Sequence, residues 1–193
     1  LNFYERRARR ILPALFFVML CSLPFAWFWM LPQDFKSFSQ SLVAVTLFAS
    51  NVLFYLTSGY FDTVSELKPL LHTWSLAVEE QYYILFPIFL IFTYKLGKKL
   101  IISLLLLVAI VSLLAAHWSS TTHPIFTFYL LPTRGFEILI GALISLYINR
   151  NFSQSVSHLV SQSFSLAGLA LILCAIFLFD KNTPSPSLYT LIP

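Results

Sequence analysis

Charge is scarce in this chain: 8 Asp and Glu and 12 Lys and Arg make up 10% of 193 residues, against 58% hydrophobic residues and a mean hydropathy of +0.80. That balance excludes an ordinary soluble domain and makes a bilayer the expected solvent. The two cysteines, Cys21 and Cys174, both lie inside apolar runs, where they read as small buried hydrophobes. Neither a disulfide framework nor a zinc site is implied. Glycine-rich phosphate loops, a Gly-x-Ser-x-Gly elbow, HExxH and CxxC are all missing, so no soluble-enzyme signature and no metal site is expected. The basic residues gather at the ends of apolar segments, which speaks for membrane orientation and against a nucleic-acid partner. The sequence starts at Leu1 without an initiator Met or a signal-peptide pattern, and it stops at Pro193 where a new apolar segment could begin. It therefore reads as an internal fragment, truncated at both ends.

What the chain does have is a series of long apolar stretches. A span needs about 20 mostly apolar residues, and the expected fold is an all-α, polytopic transmembrane helix bundle forming a single membrane domain over 1–193. The expected spans are 11–31, 37–56, 70–94, 100–116, 126–148 and 164–179. Pro13 is expected in the first turn of the first span and Pro24 at a kink. Positive charge collects at Arg6–Arg10, Lys95–Lys99 and Arg150, and the positive-inside rule puts all three on the cytoplasmic side. Two spans separate Lys99 from Arg150, but three apolar segments separate Arg10 from Lys95, which is odd. One of those three should not cross. Segment 37–56, interrupted by Ser39, Gln40, Ser41, Thr46, Ser50 and Asn51, is the candidate re-entrant segment.

Three constellations could carry chemistry. The first is Leu70-Leu-His-Thr-Trp-Ser-Leu-Ala-Val-Glu-Glu-Gln-Tyr-Tyr83. On a helix, His72, Ser75 or Leu76, Glu79 and Tyr83 fall along one stripe, with Glu80 about 100° round from Glu79. A charge at the bilayer centre costs about 2.5–3.5 kcal/mol on insertion scales, so carboxylates there mark function by default. The bland alternative pairs one acid with a buried arginine and leaves the other at the wet helix end. The second is Phe3-Tyr-Glu-Arg-Arg-Ala-Arg-Arg-Ile-Leu-Pro13, with four arginines and no lysine. Such a patch serves topology, but guanidinium groups also grip phosphate bidentately. The third is Leu131-Pro-Thr-Arg-Gly-Phe-Glu-Ile-Leu-Ile-Gly141, where Arg134 and Glu137 stand three apart and are expected to pair, and Gly135 and Gly141 permit close helix approach. His117, His123 and His158 read as solvated residues of polar turns.

These blocks resemble the acyltransferase 3 family, membrane O-acyltransferases that modify bacterial surface sugars and include the O-antigen (lipopolysaccharide) acetylases. Phe3–Ala14 looks like the family's arginine motif. Tyr60-Phe-Asp62 followed by Leu70–Tyr83 is similar to its most recognisable block, and Phe128–Ala142 looks like its Arg-x-x-Glu span. The resemblance covers nearly the whole chain. It implies a bacterial inner-membrane enzyme that moves an acyl group, usually acetyl, from acyl-CoA to a hydroxyl of a cell-surface saccharide.

By that likeness, Arg7 and Arg10 hold the CoA phosphates. Glu79 and Glu80, with His72, Trp74, Ser75 and Tyr83, line the path to the reacting groups, and Arg134 and Glu137 complete the cavity. The family's general-base histidine belongs to a span upstream of Leu1, so Glu79, Glu80 and His72 are supporting catalytic groups, and the fragment alone is expected to be inactive. The competing reading is a proton-coupled transporter with midplane carboxylates, which would favour paired repeats; no internal repeat is evident.

Overall fold

The computed structural model describes residues 2–58, 68–147, 158–180 and 183–192. Tyr60-Phe-Asp62 and Arg150 lie outside the described residues. Everything regular among the described residues is helical, and five helices are long and apolar enough to cross a membrane. The chain divides into two compact units, 1–77 and 78–193.

The first unit opens with α1, Asn2–Trp29, which begins well before the expected start at residue 11. The arginine stretch is therefore the first turns of the span and not a preface to it. Arginine is a good helix former, and Arg9 pairs with Glu5 one turn earlier at 2.7 Å. Pro13 accordingly sits in the helix interior and not in its first turn. Leu15, Met19 and Ala26 form the covered stripe of α1, in one cluster with Phe38, Val45 and Leu70. Phe17, Trp27 and Phe28 are exposed, as suits a face turned to lipid.

Segment 37–56 is two helices, α2 (Pro32–Thr46) and α3 (Ser50–Thr57). Pro32 sits at the start of α2, where its missing N–H does no harm. The break falls at Leu47–Ala49, with Phe48 at φ 51. At 1.5 Å per residue the two helices are about 22 and 12 Å long, each short of the ~30 Å hydrocarbon core. Ser37, Ser39, Ser41 and Thr46 each donate to the carbonyl one turn back, which makes their hydroxyls tolerable on an otherwise apolar helix.

Helix α4, Thr73–Thr93, starts in the first unit and continues into the second. A single 3-10 turn, Tyr94–Leu96, leads to Gly97 at φ 81, a backbone angle glycine adopts freely, and α5 (Lys98–Thr122) starts at once. This is the tight hairpin expected at Lys95–Lys99. Helix α5 runs past the expected end at residue 116, so His117 is helical and not in a turn. Ser119, Ser120, Thr121 and Thr122 all donate to carbonyls three or four residues back, and the helix stops only at His123, ahead of Pro124. The expected span 126–148 is α6 (Pro124–Tyr129) and α7 (Leu131–Tyr147), interrupted at Leu130. The last helix, α8, covers His158–Leu178 and starts before the expected residue 164.

Leu105, Ala109, Ser112, Ala116 and Ser120 form one buried stripe on α5. Its small residues let α5 approach α7, where Phe136 and Leu139 complete the core. The expected role of the two glycines in close approach is not seen: a Cβ at Gly135 would meet Ser112 Oγ at 3.7 Å, an ordinary van der Waals distance, and Gly141 faces open space. Cys21 and Cys174 are free and exposed on the outward faces of their helices, contrary to the buried placement expected from their apolar neighbours.

Candidate functional site

The block around His72 is anchored by buried hydroxyls. Leu70 is fully covered, and Thr73, the first residue of α4, donates its hydroxyl to the Leu70 carbonyl at 2.7 Å. The Thr73 carbonyl accepts the Ser50 hydroxyl from α3 at 3.0 Å, and Ser50 and its neighbour Asn51 are completely buried. Polar groups so deep are retained only when hydrogen-bonded, so this contact ties the start of α4 to α3. The sequence marked Ser50 and Asn51 only as interruptions of an apolar run; the pairing of Ser50 across 23 residues carries no local signal.

His72 itself lies in the turn before α4 and is exposed, so the expected stripe from His72 to Tyr83 does not include it. Ser75, also exposed, donates to the His72 carbonyl at 3.2 Å, and Trp74 is half-buried.

The two carboxylates stand in different surroundings. The covered side of α4 passes through Thr73, Ala77, Val78 and Tyr82. Glu79 is exposed and has no ion pair or hydrogen bond among the described residues, whereas Glu80 is half-buried and partnered. The 100° separation expected from helical geometry is thus realised as one open acid and one engaged acid.

Tyr83 is half-buried with its ring edge-on to Tyr82, centroids 5.7 Å apart. Tyr82, which the sequence did not single out, stacks on Phe86 at 5.1 Å. Its buried hydroxyl has no hydrogen-bond partner among the described residues. It borders a largely apolar cavity of about 260 Å³ between α4, α5 and α7, lined also by Phe86, Phe89, Leu105 and Leu139. An orphaned hydroxyl of that kind costs about 1–3 kcal/mol.

Arg134 is held on three sides. Pro132 has no N–H, so the Phe128 carbonyl lacks its donor one turn ahead; Arg134 Nε supplies one at 3.2 Å. The guanidinium lies 5.0 Å over the Phe128 ring and reaches Glu137 at 3.3 Å. The expected Arg134–Glu137 pair therefore forms, and the interruption at Leu130 gives it a backbone anchor. Hydroxyls stabilise the interruption: Thr133 donates to the Thr127 and Leu130 carbonyls, both at 2.9 Å, and Thr127 lies 2.7 Å from Ser119 Oγ.

Arg6, Arg7, Arg9 and Arg10 occupy the first turns of α1, spread over an arc of about 160° at 100° per residue. Arg7 is half-buried and partnered, and Arg10 is exposed. No distance joins these arginines to the acids of α4, because they belong to different units.

The family of acyltransferase domains known as acyltransferase 3 matches residues 1–193 throughout. The chain belongs to that family. It is 34% identical over 188 residues to a Haemophilus influenzae protein that carries no functional name, with 94% of this chain and 77% of that protein covered. It is 30% identical over 182 residues to the peptidoglycan O-acetyltransferase OatA of Listeria monocytogenes, covering 91% of this chain and 29% of the relative. A third relative, the O-acetyltransferase OatA of Staphylococcus aureus, is 33% identical over 116 residues, 58% of this chain and 19% of that protein. The chain thus spans under a third of the two relatives that have functional names. No solved structure matches.

Proposed function

We propose that the protein containing this chain is a bacterial inner-membrane O-acyltransferase that moves acetyl, or a related acyl group, from acyl-CoA to a hydroxyl of a cell-surface saccharide. The observation that carries this reading is the His72–Glu80 block at the head of a membrane-spanning helix, in a chain that matches the acyltransferase family from end to end. The Listeria relative is named a peptidoglycan O-acetyltransferase, which makes peptidoglycan the first acceptor to test, ahead of O-antigen. The carrier alternative has no observation in its favour.

In the reaction, the saccharide hydroxyl oxygen forms a bond to the thioester carbonyl carbon, the C–S bond breaks, and the CoA thiol leaves. A base takes the hydroxyl proton. Arg7 and Arg10, in the first turns of α1, suit CoA phosphates, since charge-assisted guanidinium contacts are strong and geometrically specific. By the positive-inside rule that end of α1 is cytoplasmic, where acyl-CoA resides. Glu79, exposed and without an ion pair among the described residues, is the acid available to orient a proton or a substrate hydroxyl, while Glu80 holds the span together. His72, Trp74, Ser75 and Tyr83 surround the path, and the braced Arg134–Glu137 pair gives it a fixed polar wall.

The test follows labelled acetyl from acetyl-CoA into peptidoglycan and O-antigen, using the full-length protein in membranes. Glu79→Gln should lower transfer by about 100-fold or more, the lower range for removal of an acid–base group. Arg7→Ala and Arg10→Ala should each raise the acetyl-CoA KM by about tenfold, as loss of one charge-assisted hydrogen bond does. Unchanged transfer in a folded Glu79→Gln protein would sink the role given to that acid.

A further inference from the structure

The first unit contains a small polar pocket that the acyl-transfer reading does not use. It lies where the end of α1 meets α2 and α3, has a volume of about 80 Å³, and presents Asp34, Ser37, Gln40, Ser41, Thr57 and Lys68 around an apolar floor that includes Phe38 and Phe54. The hydroxyls are already oriented. Ser37 donates to the Gln33 carbonyl, Ser41 to the Ser37 carbonyl and Thr57 to the Leu53 carbonyl, at 3.3, 3.0 and 2.9 Å. Each has one proton to give, so what it offers a guest is a lone pair. Three groups can therefore accept. The Gln40 amide can donate, as can the Lys68 ammonium, which lies 5.8 Å over the Phe54 ring.

A pocket rich in acceptors suits a guest rich in O–H donors. The Asp34 carboxylate and the Lys68 ammonium balance each other in the lining, so the pocket has no net charge to hold an anion. The volume admits one edge of a sugar ring, far less than a nucleotide. Position narrows the guest further. From Arg10 to Met30, which lines the pocket, α1 rises about 30 Å, the thickness of the hydrocarbon core. The pocket is therefore at the membrane face opposite the arginines, the outer face by the positive-inside rule. Lys68 and Pro69 of its rim lead directly into Leu70 and the His72 block.

We propose that this pocket binds a neutral, hydroxyl-rich unit of the acceptor saccharide at the outer face, holding the chain beside the His72 block. As a statement about the acceptor it rests on the acyl-transfer reading; as a statement about binding it stands alone, and the experiment separates the two. The full-length protein in nanodiscs is titrated with a neutral N-acetylglucosamine tetrasaccharide, followed by saturation-transfer NMR. The wild type should bind, and Gln40→Leu and Thr57→Val should each weaken binding about tenfold, as loss of a hydrogen bond in a desolvated site does, with melting temperatures unchanged. Absence of binding, or equal binding by folded variants, overturns the pocket assignment. Preference for a sulfated tetrasaccharide, lost in Lys68→Met and improved in Asp34→Asn, also overturns it, because the guest would then be an anion. Labelled-acetyl transfer is scored separately: if it fails while tetrasaccharide binding responds to these variants, the acyl-transfer reading falls and the pocket stands.

Discussion

The two units handle polar side chains differently. In the first, the hydroxyls of α2 fold back on their own helix, and Ser50 ties α3 to the start of α4. In the second, the hydroxyls at the end of α5 also fold back, but Ser112 and Thr127 reach another helix. Ser112 of α5 donates to the Pro132 carbonyl at 2.6 Å and accepts from the Phe136 N–H at 3.1 Å, which are the two ends of the first i→i+4 rung of α7. The difference follows from the solvent. Between spans in lipid there is no hydrophobic driving force, so close packing of small residues and interhelical hydrogen bonds hold α5 against α7. In α2 and α3, each shorter than the hydrocarbon core, self-satisfied hydroxyls leave their lone pairs free to line a pocket. One pattern makes a rigid frame, and the other makes a surface that can receive a ligand.

Ser112→Ala is the strongest way to break this contrast. It removes a group that serves one donor and one acceptor in the interior, and it should destabilise the full-length protein by about 1–3 kcal/mol in steric-trap unfolding. Ser39→Ala, which deletes only a bond within its own helix, should cost under about 0.5 kcal/mol in the same measurement. Equal effects would remove the distinction between the units. Arg134 offers the next comparison. Its ion pair is mostly covered, with side-chain exposures of 16% for Arg134 and 38% for Glu137, whereas Arg9 and Glu5 are 80% and 56% exposed. Arg134→Ala loses the Glu137 contact, the Phe128 carbonyl and the ring contact together, and should cost about 1–3 kcal/mol. Arg9→Ala should stay within about 0.5 kcal/mol, as exposed helix pairs do.

Much of the architecture was legible because its causes are local. Apolar length located the spans, and charge parity drew attention to 37–56, where the chain does break into two helices. The Arg134–Glu137 pair followed from spacing alone. Features made by distant segments were not legible. Nothing beside Ser50 announces a bond to Thr73, and nothing in Tyr82-Tyr83 says which tyrosine turns inward. Helix ends depart from the expected ones for a shared reason: charged or hydroxyl-bearing residues at 2–10 and 119–122 resemble connections in sequence, yet arginine favours helix and Ser and Thr can satisfy themselves on the preceding turn. The order of the two acids was only half legible. Helical spacing separates Glu79 from Glu80, but packing decides which is engaged.

The smallest predicted effect probes the frame itself. Gly135 belongs to the α5–α7 contact, and a methyl group there would sit 3.7 Å from Ser112 Oγ, an ordinary van der Waals distance. The backbone of α7 at this point is helical, so alanine gains helix propensity and loses nothing to strain. Gly135→Ala should therefore change stability by no more than about 1 kcal/mol, and toward stabilisation. Gly135→Leu must instead displace Ser112 from the Pro132 carbonyl, and overpacking of that kind costs about 1–3 kcal/mol. In the double variant with Ser112→Ala, the leucine penalty should shrink, because the group it displaces is gone. Additive penalties in that cycle would mean that α5 and α7 are held by their apolar stripe and that the serine bridge contributes little to the frame.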